Sequence, residues 1–110
     1  ASGRAIAAIT GRPPAEAGPE AVARAGRRVG RAVASAANLL DLRLAVVAGS
    51  VALGFGAPFF AAAQAELDRL ARLDFSRGAR IRAAGLGGDA PLVGAAAVAL
   101  RHDGRLPCCR

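Results

Sequence analysis

The chain has 110 residues, of which 54% are hydrophobic, and it carries a formal net charge of +7; this length and apolar content fit one small domain with its own core. All 15 basic residues are arginine and only 4% of the residues are aromatic, so the basic side chains are not interleaved with the rings on which single-stranded nucleic acid stacks. Composition therefore argues against a protein that binds single-stranded nucleic acid. A zinc site is not expected either, because His102 and the adjacent Cys108 and Cys109 are too few ligands.

Two helices are predicted in the first 40 residues. The apolar run Ala5–Ile9 predicts a short helix, which ends at the following Gly-Arg-Pro-Pro. A longer helix is predicted from Pro19 to about Leu40, with proline in its first turn. At about 100° per residue, its buried face is expected to consist of apolar residues at helical spacing: Val22, Val29, Val33, Ala36 and Leu40. The opposite face carries four arginines, which could bind a phosphate or an acidic partner but which we interpret as a solvated outer face: Arg24, Arg27, Arg28 and Arg31.

The middle of the chain, residues 44–52, reads Leu-Ala-Val-Val-Ala-Gly-Ser-Val-Ala. An apolar run followed by a Gly-Ser turn predicts a strand buried on both faces, as in parallel sheets covered by helices. A turn of small residues that opens onto a helix N-terminus lets a ligand approach the backbone N–H groups. Gly49 and Ser50 are therefore the candidate ligand-binding residues, whereas the preceding Asp41 is expected to be a turn residue rather than a catalytic carboxylate.

A third helix, a second strand and a fourth helix are predicted after this turn. Residues 51–56 predict one short helical turn before Pro58 begins the third helix, on which Asp68 and Arg72 are spaced to pair. Its buried face is expected to comprise Phe60, Ala63, Leu67 and Leu70. Arg80–Ala83 alternates, as expected of a strand with one solvent-exposed face or of a strand at a sheet edge. Asp89 and Pro91 then begin a helix that runs to about Leu100. Its inward residues are expected to be Leu92, Val93, Ala96 and Leu100.

A membrane span is the alternative for residues 44–65, because this stretch has no charge and is long enough to cross a bilayer. It contains three glycines, Pro58 and Gln64, so division into a strand, a turn and a helix is favoured. The predicted class is therefore α/β, with helices packed on a small fragment of sheet. No signal peptide is visible at the N-terminus, so the expected location is the cytoplasm.

Several segments resemble the C-terminal part of the ROK family, which contains bacterial sugar kinases such as glucokinases and sugar-responsive transcriptional repressors. The similar segments are Ala36–Asp41, Val46–Ala52, Leu86–Ala96 and the start of the chain, Ala1-Ser2-Gly3 with Ala5-Ile6-Ala7. The resemblance covers residues 1–101 and leaves 102–110 unmatched. The chain departs from the family at Ala48 and Pro91, where glycine is usual, and at Leu42, where proline is frequent.

This resemblance implies the C-terminal lobe of an actin-like ATPase fold. It assigns Gly49 and Ser50 to the ATP site of a parent protein that uses ATP and Mg to phosphorylate a hexose, and that commonly forms a homodimer. The phosphate loop, the catalytic aspartate and the zinc cysteines of the family are expected upstream of Ala1. The chain is therefore expected to contain no catalytic or metal-binding residue, to be inactive alone, and to have no membrane role.

Two other interpretations remain open. The chain could be the effector-binding portion of a repressor of the same family, in which case an upstream helix-turn-helix would make DNA a partner. It could also be a degraded remnant, since the tail from Asp103 matches nothing. In either case a core built mainly from alanine, valine and leucine buries little area at about 25 cal/mol per Å². The isolated chain is therefore expected to be a loose helical species with one exposed sheet face.

Overall fold

The computed structural model describes residues 2–74 and 76–105 of the chain. They form a mixed α/β structure that is mostly helical and contains a two-stranded parallel sheet. Its elements are α1 (Gly3–Thr10), α2 (Pro19–Leu40), β1 (Leu44–Val47), α3 (Ser50–Leu70), β2 (Arg80–Ala83) and α4 (Ala90–His102). The predicted order of helices and strands is confirmed. Cys108 and Cys109 lie outside the described residues.

Local chain chemistry explains where the first two helices begin and end. The Ser2 hydroxyl oxygen accepts a hydrogen bond from the Ala5 N–H at 3.2 Å, and α1 ends at Gly11 in the left-handed conformation, with φ of 68°. Helix α2 has Pro19 in its first turn and ends at Asp41, whose φ is 51°. Aspartate tolerates this left-handed conformation better than most residues, so the prediction of Asp41 as a turn residue is confirmed.

Helices α2 and α3 pack through their backbones. A β-carbon at Gly26 would lie 2.5 Å from the carbonyl oxygen of Phe59, and one at Gly30 would overlap the carbonyl oxygen of Ala63. Such an approach is open only to glycine, because any side chain would hold the helices apart. The contact creates the core of the molecule, whose buried apolar residues include Ala34, Ala37, Ala63, Leu67, Ala71, Ala79 and Ile81, and at its other end Val22, Ala25, Ala52 and Phe59.

The predicted inner face of α2 is therefore partly wrong. Leu40 is 63% exposed, and Val29, Val33 and Ala36 are only half-buried. Val22 is buried as predicted, but the other buried residues are those with the smallest side chains: Ala25, Gly26, Gly30, Ala34 and Ala37. The reason is the close approach of α3, which selects the stripe with the least side-chain volume. The four arginines predicted for the opposite face are all exposed, but Arg31 also pairs with Glu66 of α3 and is not simply solvated.

Helix α3 is interrupted at Gly56, where φ is 60° and ψ is −147°. The expected short turn before Pro58 is therefore confirmed. Its predicted buried face is right at Ala63 and Leu67, but Phe59 is 1% exposed, whereas Phe60 and Leu70 are half-buried. The rings of the two phenylalanines meet edge to face with centroids 5.2 Å apart, a favoured aromatic geometry. Phe59 therefore occupies the core position that was expected for Phe60, and Phe60 packs against the edge of the core beside it.

The sheet pairs Leu44 with Arg80 through to Val47 with Ala83 in parallel register, and α3 lies in the connection between the strands. Strand β1 is covered on one face only, since Leu44 and Val46 are 56% and 61% exposed. The prediction that both faces are buried is therefore wrong. The covered face packs against α2 and α3, and within the described residues no second layer of helices covers the other face. Strand β2 alternates as predicted over Arg80, Ile81 and Arg82, but Ala83, on the same face as the buried Ile81, is exposed.

Helix α4 begins with Pro91 in its first turn, as predicted, but the Asp89 side chain makes no capping hydrogen bond. None of its residues is buried, so its predicted inward face is wrong: Leu92, Val93, Ala96 and Leu100 are all exposed. The physical reason is that α4 mainly contacts the short 3₁₀ turn Gly87–Asp89 before it and stands away from the core.

The expected pair of Asp68 and Arg72 does not form, because α3 ends at Leu70 and Asp68 accepts a hydrogen bond from Gln64 Nε2 at 2.7 Å instead. Residues 44–65 form β1, the turn and part of α3. Among the helices of the described ranges, none combines the length and the apolar character that a membrane crossing requires.

Candidate functional site

The turn between β1 and α3 has the conformation that the small residues of the sequence predict. Gly49 precedes the first residue of α3, with φ of 113° and ψ of 146°, a region that is essentially closed to residues with a β-carbon. The first hydrogen bond of the helix runs from the Leu53 N–H to the Gly49 carbonyl at 3.0 Å. The N–H groups of residues 50–52 consequently have no acceptor within the helix and are available to an anion.

A groove of about 330 Å³ lies against this turn and brings the two predicted residues together. We call it the turn groove; it is lined by residues 47–52 with Ser2, Gly3, Val29 and Phe59. Val47, Val29 and Phe59 supply apolar walls. Gly49 and Ser50 contribute backbone and one hydroxyl at the carboxyl end of β1. The turn groove therefore combines hydrogen-bond donors with apolar walls, which is typical of small-ligand sites.

The chemistry of the turn groove is that of binding rather than proton transfer. None of its lining residues carries a charged or basic side chain, so the groove holds no general acid or base. Mg²⁺ prefers carboxylate and water oxygens, and the only side-chain oxygens among the lining residues are the hydroxyls of Ser2 and Ser50, so these side chains do not fit a magnesium site. In the described part of the chain, no three His, Cys, Asp or Glu residues lie together in a way that could hold a metal ion.

The segments that carry the family resemblance do not all meet at this groove. Residues 46–52 form the end of β1 and the turn, so most of them line it. Residues 36–41 form the end of α2, and residues 86–96 form the 3₁₀ turn and the exposed first half of α4. Ala48 lines the groove, and its methyl group stands where the family usually has glycine.

Sequence reasoning missed an ion-pair cluster between α2 and α3. Arg31 Nε donates to Glu66 Oε1 at 2.6 Å, while Arg69 donates from Nη2 to Oε1 at 2.9 Å and from Nε to Oε2 at 3.1 Å. Glu66 is buried, and the hydrogen bonds from Arg69 and Arg31 lower its pKa to about 2. The spacing of Glu66 and Arg69, three residues apart on one helix, does predict an ion pair between these two side chains. Arg31 belongs to a different helix, and only the fold brings it there.

Sequence reasoning also missed the role of Gln64. Its side-chain Nε2 donates to the Ala79 carbonyl at 3.0 Å, and its Oε1 accepts from the Ile81 N–H at 2.9 Å. The N–H groups of Arg80 and Ala84 donate to the carbonyl oxygens of Arg43, just before β1, and Val47, its last residue. Since the N–H groups of a strand point alternately to its two edges, the Ile81 N–H points to the edge of β2 away from β1. Gln64 therefore satisfies two backbone groups at the open edge of the sheet, the Ala79 carbonyl and the Ile81 N–H.

No model of a protein family matches this chain, and no curated protein or solved structure matches it. We therefore infer the function of this chain from the turn groove and from the resemblance of the segments described above.

Proposed function

We propose that this chain is the nucleotide-side, C-terminal part of an ATP-dependent sugar kinase of the ROK type, built on an actin-like ATPase lobe. The parent protein would transfer the γ-phosphate of ATP to a hydroxyl of a hexose. The observation that carries the proposal is the turn groove: a strand end, a glycine at φ of 113° and a helix start whose first N–H groups have no acceptor within the helix adjoin one cavity.

In this proposal the chain binds a phosphate group and does not perform the chemistry. The N–H groups of residues 50–52 would donate to phosphate oxygens, and the positive end of the α3 dipole would favour the negative charge. Val47 and Phe59 would border the less polar part of the nucleotide. Phosphoryl transfer also needs a base and charge-neutralising groups around the γ-phosphate. By resemblance these come from upstream of Ala1, so this chain alone should phosphorylate nothing.

The test is an ATP titration of the full 110-residue chain, followed by backbone amide resonances. We expect saturable shifts at residues 49–52. Ser50→Asp should abolish them, because the added charge repels phosphate, while aspartate in the first turn of a helix preserves α3. Ser35→Asp is the matched control, since Ser35 is exposed on α2 and its hydroxyl donates only to the Arg31 carbonyl at 3.1 Å. Equal losses in both variants, or shifts centred elsewhere, would contradict the nucleotide site.

A second candidate function is the effector-binding portion of a sugar-responsive repressor, and Ala48 is the observation that favours it. A repressor does not need a working ATP turn, so a methyl group in the groove is tolerated there. The coding sequence upstream of Ala1 separates the two candidates. A phosphate loop followed by an aspartate base would support the kinase, and sugar phosphorylation by the longer protein would then be measured. A helix-turn-helix would support the repressor.

A further inference from the structure

A second groove lies between α1 and α2, and Ser2 is the one residue that it shares with the lining of the turn groove. It has a volume of about 390 Å³, within the range of small-molecule sites. Its apolar lining includes Ile6 and Ile9 from α1 and Ala21 and Ala25 from α2. Ile6 and Ala25 are buried at its base, whereas Ile9 is 50% exposed. We call it the α1–α2 groove. Its apolar surface is thus accessible from solvent.

Two arginines supply the charge of this groove. Arg24 and Arg28 lie one helical turn apart on α2 and both line it, and no acidic residue does. Neither arginine forms an ion pair with a carboxylate of residues 2–74 or 76–105. This contrasts with Arg31, which is engaged by the buried Glu66. The groove therefore presents two uncompensated guanidinium groups beside an apolar wall.

We propose that the α1–α2 groove binds an amphipathic carboxylate with a short apolar body. The carboxylate pairs with Arg24 and Arg28, because a guanidinium fork matches the two oxygens of a carboxylate. The apolar body packs against Ile6 and Ile9 and removes their surface from water. A purely apolar ligand would leave the two cations unmatched, and a small anion would leave the apolar wall exposed. Only a molecule with both parts satisfies the groove.

The first experiment compares three probes on the full 110-residue chain by amide chemical shifts. Octanoate carries the charge and the apolar body, octan-1-ol carries only the body, and acetate carries only the charge. We expect octanoate to give saturable shifts at Ile6, Ile9 and Ala25, with an affinity at least about tenfold above that of either other probe. Equal affinity for octanol, equal affinity for acetate, or no saturable shifts with octanoate would overturn the proposal.

Variants then locate the charge. Arg24→Gln and Arg28→Gln should each weaken octanoate binding about tenfold. Arg27→Gln is the matched control, because it removes the same charge from an exposed residue of the same helix that does not line the groove. An equal loss in the control would mean general attraction to a basic chain and would overturn the site. Octanoate binding should be unchanged in Ser50→Asp, so this test and that of the nucleotide site succeed or fail separately.

Discussion

Gly30 of α2 packs directly against the backbone carbonyl of Ala63 in α3, and a β-carbon at position 30 would also lie 3.0 Å from the β-carbon of Glu66. Gly30→Ala should therefore push the two helices apart. We expect the free energy of unfolding to fall by about 1–3 kcal/mol, the usual penalty for overpacking. Urea unfolding followed by circular dichroism measures it.

Gly54→Ala is the matched control for this substitution. Gly54 lies in α3, and a β-carbon there would meet no atom within 4 Å. The same chemical change should raise the free energy of unfolding by about 0.5–1 kcal/mol, because alanine is the better helix former. If both variants were stabilised, the close contact of α2 and α3 would be refuted.

The ion-pair cluster at Glu66 predicts a dependence of stability on pH. The pKa of Glu66 in the folded chain is about 2, below its ordinary value of 4.5, so the unfolded chain binds its proton more readily. The cluster's stabilisation is thus complete above 4.5 and is lost as the pH falls towards 2. Glu66→Gln should lower the urea midpoint at pH 7 and reduce its change between pH 6 and pH 2.5. Glu16→Gln, at an exposed residue that forms no ion pair within residues 2–74 and 76–105, should keep the wild-type pH profile.

The bond between Gln64 and Ile81 predicts local protection from hydrogen exchange. In Gln64→Ala the Ile81 N–H loses its acceptor, so its exchange should accelerate, while the Arg80 N–H, bonded to the Arg43 carbonyl at 2.9 Å, stays protected. Gln64→Glu retains an acceptor oxygen and should keep Ile81 protected although it loses the donor to Ala79. Rapid exchange of Ile81 in the wild-type chain would show that Gln64 does not close this edge.

The conformation of Gly49 predicts strain for any other residue. Gly49→Ala should lower the free energy of unfolding by about 1–3 kcal/mol, because φ of 113° is unfavourable for alanine. A β-carbon there would meet nothing within 4 Å, so the loss would reflect the backbone alone. Gly85→Ala, also in open space but without positive φ, is the control and should change little. Equal stability of the two variants would mean that the turn adopts another shape.

Local signals predicted most of the elements. Pro19 and Pro91 lie in the first turns of α2 and α4, Asp41 ends α2, and the break at Gly56 lies just before Pro58. Each follows from the backbone preferences of a few neighbouring residues. The sequence predicts the Gly49–Ser50 turn for the same reason, because an apolar strand followed by small residues is typical of a tight turn.

Features that depend on tertiary packing were not predicted. Gly26 and Gly30 do not stand out from an apolar pattern, and only the presence of α3 makes them the contact surface. Leu44 and Leu92 look like core residues by hydropathy, yet both are exposed, because no further layer packs on them within the described residues. Glu66 and Arg31 are 35 positions apart, and no helical period links them. Hydropathy indicates which side chains could be buried. Which of them are buried depends on the helices and strands that pack against them.

The backbone contact between α2 and α3 has a consequence for the entropy of folding. Glycine and alanine have no rotamers to lose, while larger side chains lose up to about 2 kcal/mol each when they are buried. The alanines of this interface, Ala34, Ala37 and Ala63, therefore become ordered without loss of side-chain freedom. Gly26 and Gly30 lose additional backbone freedom, about 0.5–1 kcal/mol each relative to alanine, and in return allow the close approach. The absence of a side-chain entropy loss partly offsets the small apolar area that such residues bury. A tight helix pair can thus form in a chain that is poor in large apolar side chains.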